Sequence, residues 1–262
     1  MKTLMFLLLG YFSCMSQNVE VTFLVKTNFS FDTASENSKY VLKQNEQFSI
    51  FELIDNKNVN NLKHPELATL LKERDTISFY SVADQAIVGV ARKKSFKNFK
   101  ENFQISTHNI EFKHCYVRDK IDVFEWEIID NSDTLIDQFK CKKAKTKFRG
   151  REYIACFSAD VANQGGPYKF DGLPGFILAI RSLDGFVSFE PTSIKFIKKD
   201  ITIENPFVNK KIIVFEDLKQ LTMDAYKMQF ARAKSSPNPP ISRTFGKLEQ
   251  IEDIGLGEVT LE

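Results

Sequence analysis

A succession of short runs in which apolar and polar residues alternate dominates this chain and restricts it to a mainly β fold. Val19, Val21, Phe23 and Val25 alternate with Glu20, Thr22 and Lys26, the period of two that turns one strand face to a core and the other to water. Comparable runs predict strands at 47–54, 76–82, 86–91, 110–117, 121–129, 134–143, 151–158, 176–181 and 186–197. Parallel neighbours would need crossovers of a dozen residues or more, so short turns between the runs imply antiparallel pairing. Only two segments carry helical spacing. Segment 64–74 opens with Pro65 and places Leu67, Leu70 and Leu71 on one face, and segment 215–233 sets Leu218, Leu221, Met228 and Ala231 among charges, as in a helix lying on a sheet. The 25 phenylalanines suit such a fold, because aromatic rings fill a pleated, half-buried surface.

The ends read differently from the middle. Lys2 precedes an apolar run at 4–12, too short to span a bilayer but suited to the core of a signal peptide. Cys14-Met15-Ser16 then puts small residues three and one before a cut at Gln17. A lipid anchor on Cys14 is the rival, and the bulky Tyr11-Phe12 before it fits that poorly. The expected organisation is a signal peptide at 1–16, one β-rich domain at 17–233, and a proline-rich linker with an acidic tail at 234–262. Ser235-Ser236-Pro237-Asn238-Pro239-Pro240 cannot continue a helix, since proline lacks the donor and clashes with the preceding turn. Beyond it, five acidic residues face one lysine between 247 and 262, so the tail either stays solvated or folds back on a basic surface. No later run approaches 18 apolar residues, so no transmembrane helix is expected in the mature chain. A net charge of +2 gives no general attraction to nucleic acid.

From Cys141 onward the text is specific: Phe148-Arg149-Gly150-Arg151-Glu152-Tyr153, then Gly166-Pro167-Tyr168-Lys169-Phe170-Asp171, then Gly172-Leu173-Pro174-Gly175. In these three elements, in order, residues 117–198 resemble the GLPGLI family, exported proteins of Gram-negative bacteria without an assigned activity. Phe176 stands where the family has leucine, and Cys156 where tryptophan is expected. The resemblance implies an envelope setting, with an outer-membrane protein as one kind of partner. By analogy with periplasmic lipoprotein carriers, the sheet is expected to be large and curved, a half-barrel with a few helices.

The motif glycines and prolines preset tight turns. Gly172, Leu173, Pro174 and Gly175 therefore either place the hairpin that follows or form the rim of a binding surface. Lys140, Lys142, Lys143, Lys145, Lys147, Arg149 and Arg151 put seven cations in 12 residues. The ordinary reading is a solvated strand face that blocks edge pairing. The functional one is an anion site, in which Arg149 and Arg151, with Lys169 in the GPxxF element, are the candidates, because a guanidinium fork matches carboxylate or phosphate.

No GxSxG, HExxH or phosphate-loop motif occurs, and no cofactor or metal is implied. His64 and His108 read as isolated surface residues, and His114 and Cys115, as strand neighbours, point to opposite faces. Of the cysteines after cleavage, Cys115, Cys141 and Cys156, none has CxxC spacing. A hairpin of 134–145 with 151–158 sets Cys141 opposite Cys156 if its loop is Phe148-Arg149, which permits a disulfide. A three-residue loop ending at Gly150 sets Cys141 against Phe157 instead. The expected function is an exported, non-enzymatic binding or carrier protein holding an apolar ligand, such as a lipid, or an anionic one. A docking accessory to an outer-membrane transporter is the alternative, and an unrecognised hydrolase the third reading.

Overall fold

The computed structural model describes residues 18–28, 35–55, 76–80, 87–91, 93–110, 113–161, 163–234 and 252. The expected signal segment, the helix at 64–74 and all of the tail except Glu252 lie outside these residues. In chain order the strands are β1 (Asn18–Asn28), β2 (Ser35–Gln44), β3 (Phe48–Asp55), β4 (Thr76–Tyr80), β5 (Ile87–Ala91), β6 (Ser95–Asn98), β7 (Phe103–Ile110), β8 (Lys113–Asp119), β9 (Glu127–Ile136), β10 (Phe139–Phe148), β11 (Arg151–Ser158), β12 (Phe176–Ser182), β13 (Val187–Ile197) and β14 (Ile212–Val214), followed by the helix α1 (Phe215–Lys234). Twelve strands form one sheet in the order β14-β8-β7-β6-β3-β2-β1-β13-β12-β11-β10-β9, and β4 pairs with β5 apart from it. All pairs are antiparallel except β14 with β8.

The sheet is strongly rolled without closing. β8 is second and β10 eleventh in the order, nine steps that would span about 43 Å in a flat sheet at about 4.8 Å each. Yet Arg149, at the end of β10, clasps Asp119 at the end of β8 through two hydrogen bonds. Phe124, just after β8, lies 4.3 Å from Phe148 between ring centroids. Most of the concave face is apolar: Val19, Val21, Phe23 and Val25 of β1 all point into it, each 1% exposed or less. Tyr40, Phe51, Phe189, Phe170 and Tyr153 continue the core as a chain of ring contacts with centroids 4.9–6.0 Å apart. A smaller cluster of Phe96, Phe103, Ile105, Ile203 and Phe207 covers the other face.

Several expectations need correction. The helix forms over the expected span, but it buries Leu218 against Val117 with Met223 beside them, while Leu221 and Met228 stand exposed. The run at 121–129 is irregular as far as Trp126, and the run at 134–143 divides at a turn where Asp137 has positive φ. The β10–β11 loop is neither of those considered. Arg149 and Gly150 both take positive φ (43° and 84°) and Phe148 faces Arg151, the two-residue turn whose twist matches paired strands. That register sets Cys156 opposite Lys143 and Lys142 opposite Phe157. No disulfide joins Cys141 and Cys156, and burial pushes the Cys141 thiol up to about 11.

Candidate functional site

The connection from β11 to β12, residues 159–175, leaves the strand edge and crosses the concave face. Ser95 Oγ donates to the Tyr168 carbonyl at 2.8 Å, and Tyr168 donates its hydroxyl to the Thr107 carbonyl at 3.0 Å. Lys97 Nζ donates to the carbonyls of Gly166 (3.0 Å) and Phe170 (2.8 Å) and to Asp171 Oδ2 (2.8 Å). All three ammonium donors are thereby used, although burial lowers the lysine pKa. Trp126 Nε1 donates to the Asp171 carbonyl at 2.7 Å. The GLPG segment ends the crossing. Gly172 has φ of 89°, and a Cβ on Gly175 would meet the Ser158 carbonyl oxygen at 2.5 Å. Leu173 is buried and Pro174 is exposed, so this motif anchors the returning chain.

The crossing delivers Lys169 to a buried ionic cluster. Arg149 donates both terminal nitrogens to Asp119. Lys169 Nζ donates to Asp119 Oδ2 at 3.2 Å and to Glu252 Oε1 at 2.7 Å, and Arg149 Nη1 reaches the same Oε1 at 2.8 Å. Lys169 and Glu252 are each 1% exposed, Asp119 is 7% and Arg149 is 14%. The guanidinium also lies 3.4 Å from the centre of the Phe215 ring. Burial first, then the positive charge of Lys169, holds His108 well below its ordinary pKa and therefore neutral. Two cations and two carboxylates balance.

His108 Nε2 lies 3.3 Å from Ser106 Oγ and 3.6 Å from Glu252 Oε2. A nucleophile relay needs the acid on the opposite ring nitrogen from the hydroxyl, so these three groups do not form one. Among the described residues no group of three or more His, Cys, Asp or Glu residues is placed to hold a metal ion. An open cleft of about 710 Å³ shares Asp119 and Phe215 with the cluster, and Phe103, Arg118, Lys120 and Asp122 line it further out.

The sequence candidates thus separate. Arg149 and Lys169 meet on the same two carboxylates, whereas Arg151 pairs elsewhere, with Asp184 at 2.8 Å and against the Phe186 ring. Lys140, Lys142, Lys145 and Lys147 remain on the exposed face of β10, as the solvated reading requires. His108, expected at the surface, is buried. Asp119 and Glu252 escaped notice, and His108 was misplaced at the surface, because each belongs to a different region of the chain and none sits in a motif. A local signal did exist on β6 and β7: Ser95, Lys97, Gln104, Ser106 and His108 alternate as inward polar residues, the reverse of an apolar strand face.

No family model matches the chain, and no curated protein matches it. Among solved structures, PNGF-II in a C2 space group is similar at TM-score 0.47 and 17% identity, covering 80% of this chain and 33% of its own. PNGF-II in a P21 space group gives 0.46 and 15%, covering 80% and 34%. The chain therefore spans about a third of the length of these structures. Among the described residues, no helix is long and apolar enough to cross a membrane.

Proposed function

We propose that this chain is an exported, non-enzymatic binding protein of the cell envelope that holds an anionic group against Arg149 and Lys169. The observation that carries the reading is the seating of a carboxylate, that of Glu252, on both cations at once in the concave face. Two further features support it. Arg149 and Tyr168, the residue before Lys169, are non-glycine residues with positive φ (43° and 52°), and such backbone persists where the surroundings over-determine it, commonly at binding sites. The apolar part of the concave face is occupied by the ring chain through Phe51, Phe189 and Phe170, which favours the anionic ligand over a lipid tail. Export rests on the leader pattern at 1–16, and the envelope setting on the likeness to GLPGLI proteins.

The test is retention of the tagged chain on isolated envelope fragments at low and high salt. Arg149→Lys keeps the charge but loses the fork. Losing a charge-assisted hydrogen bond of about 1.5 kcal/mol should cut retention roughly tenfold, with wild-type retention falling as salt screens the contact. A folded variant retained as well as wild type would remove this reading.

A further inference from the structure

We infer that Phe215 is a positioning residue of the anion site: its ring fixes the plane of the Arg149 guanidinium, so β14 and α1, which carry the ring, belong to the site although the ring bears no charge. This rests on the anionic-ligand reading above and concerns how that site is held in shape.

The first ground is how the ring is delivered. β14 runs parallel to β8, with Ile212 opposite Tyr116, Ile213 opposite Val117 and Val214 opposite Arg118. The next residues of the two segments are Phe215 and Asp119. Residues two apart on a strand share a face, and Val117, Ile213, Phe215 and Leu218 pack in one apolar cluster. The parallel ladder therefore sets a carboxylate and a ring side by side, at the end of β8 where Arg149 arrives from β10.

The second ground is what each partner can fix. Arg149 is a long side chain at the tip of a two-residue turn, with φ of 43°, and its rotamer freedom is costly to freeze. Asp119 accepts from both terminal nitrogens, which fixes one edge of the fork and leaves the guanidinium plane free to swing about that edge. The guanidinium carbon lies 3.4 Å from the centre of the Phe215 ring, a stacking distance for a planar cation on an aromatic face, and this removes the swing. With plane and edge both set, Nη1 reaches the oxygen that Lys169 also holds, at 2.8 Å and 2.7 Å respectively.

The third ground is shielding. Phe215 lines the open cleft beside Asp119 and Arg149 does not, so the ring stands between the water of the cleft and the guanidinium. A cation–π contact strengthens where water is excluded from it. The Phe148 ring lies 4.8 Å from the same carbon, but it belongs to the hairpin that carries Arg149 and cannot fix the fork relative to β8. Phe215, held by the cluster around Val117 and Leu218, can.

The experiment uses the full chain and reads the Arg149 side chain by nitrogen–proton NMR, its Nε–H signal assigned by its disappearance in Arg149→Lys. A proton held over a ring face is shifted upfield, so the wild-type signal should lie upfield of that of free arginine. It should move downfield in Phe215→Leu, which keeps apolar bulk but loses the ring, and hold its place in Phe215→Tyr. A water-excluded cation–π contact is worth roughly tenfold in affinity, so Phe215→Leu should cut retention on envelope fragments about tenfold and Phe215→Tyr should restore it. A signal that does not move in Phe215→Leu would overturn the inference. Should that variant not fold, the wild-type signal decides alone, and a position at that of free arginine overturns the inference. If Arg149→Lys loses retention while folded Phe215→Leu keeps it, the anion reading stands and this inference falls. If Arg149→Lys is retained as wild type, the anion reading falls, and the signal alone decides whether Phe215 positions Arg149.

Discussion

Replacing Lys97 by methionine removes a buried ammonium that holds the crossing connection by three bonds. Asp171, whose side chain is 6% exposed, would keep its hydrogen bond from the Gly172 amide but lose its counter-charge. The carbonyls of Gly166 and Phe170 would each lose a donor. Breaking a buried pair in this way costs about 3–5 kcal/mol. With an m-value of about 3 kcal/mol/M, a loss of about 4 kcal/mol shifts the urea midpoint by roughly 1.3 M. Replacing both partners, Lys97→Met with Asp171→Leu, removes the stranded charge and leaves chiefly the Gly172 amide and the two carbonyls short of a partner. The double variant should therefore be more stable than the sum of the single losses predicts, by about 2 kcal/mol or more. The assay is urea unfolding followed by fluorescence of Trp126, the chain's one tryptophan, whose indole donates to the Asp171 carbonyl. A Lys97→Met loss under about 1 kcal/mol, or strictly additive single effects, would refute the view that this pair anchors the connection.

Two further outcomes follow from the same geometry. His108 has a folded pKa well below its ordinary value, chiefly through burial and then through Lys169 and Arg149, against the opposing pull of Asp119. The unfolded state then binds the extra proton below about pH 6.5, and stability should fall with pH below that point by up to about 1.4 kcal/mol per unit. Denaturant melts of wild type and His108→Gln across that range should show a shallower slope for the variant, and equal slopes would count against a buried neutral imidazole. Gly175→Ala drives a Cβ to 2.5 Å from the Ser158 carbonyl oxygen and should cost on the order of 2 kcal/mol through backbone displacement. A melt within about 0.5 kcal/mol of wild type would show that the GLPG turn yields instead.

The β class, the antiparallel pairing and most strand positions were legible because they depend on local alternation. The run through Val19, Val21, Phe23 and Val25 became β1, and the spans expected at 151–158 and 215–233 became β11 and α1 almost to the residue. Strands β2, β6 and β14 were not foreseen, and β7 met the expected run only at Ile110, which is its last residue. Ser38 and Gln44 on β2, Ser95 and Lys97 on β6, and Gln104, Ser106 and His108 on β7 turn polar groups inward, so no continuous apolar inward face marks them. The hairpin register also escaped, because Arg149 accepts the left-handed conformation that local chemistry assigns to Gly150 alone.

By itself, the sequence determined most of the strand positions and that Gly172 and Gly175 sit at a special turn, since alternation and permitted φ are properties of a few neighbouring residues. It also marked Arg149 and Lys169 as candidates through the chemistry of their side chains. Only the tertiary structure decided that these two cations share Asp119 and Glu252 while Arg151 goes to Asp184. The physical reason is that rolling twelve strands into one curved sheet joins positions nine strands apart, and the cost of burying a charge is met only by a partner that the roll brings within reach.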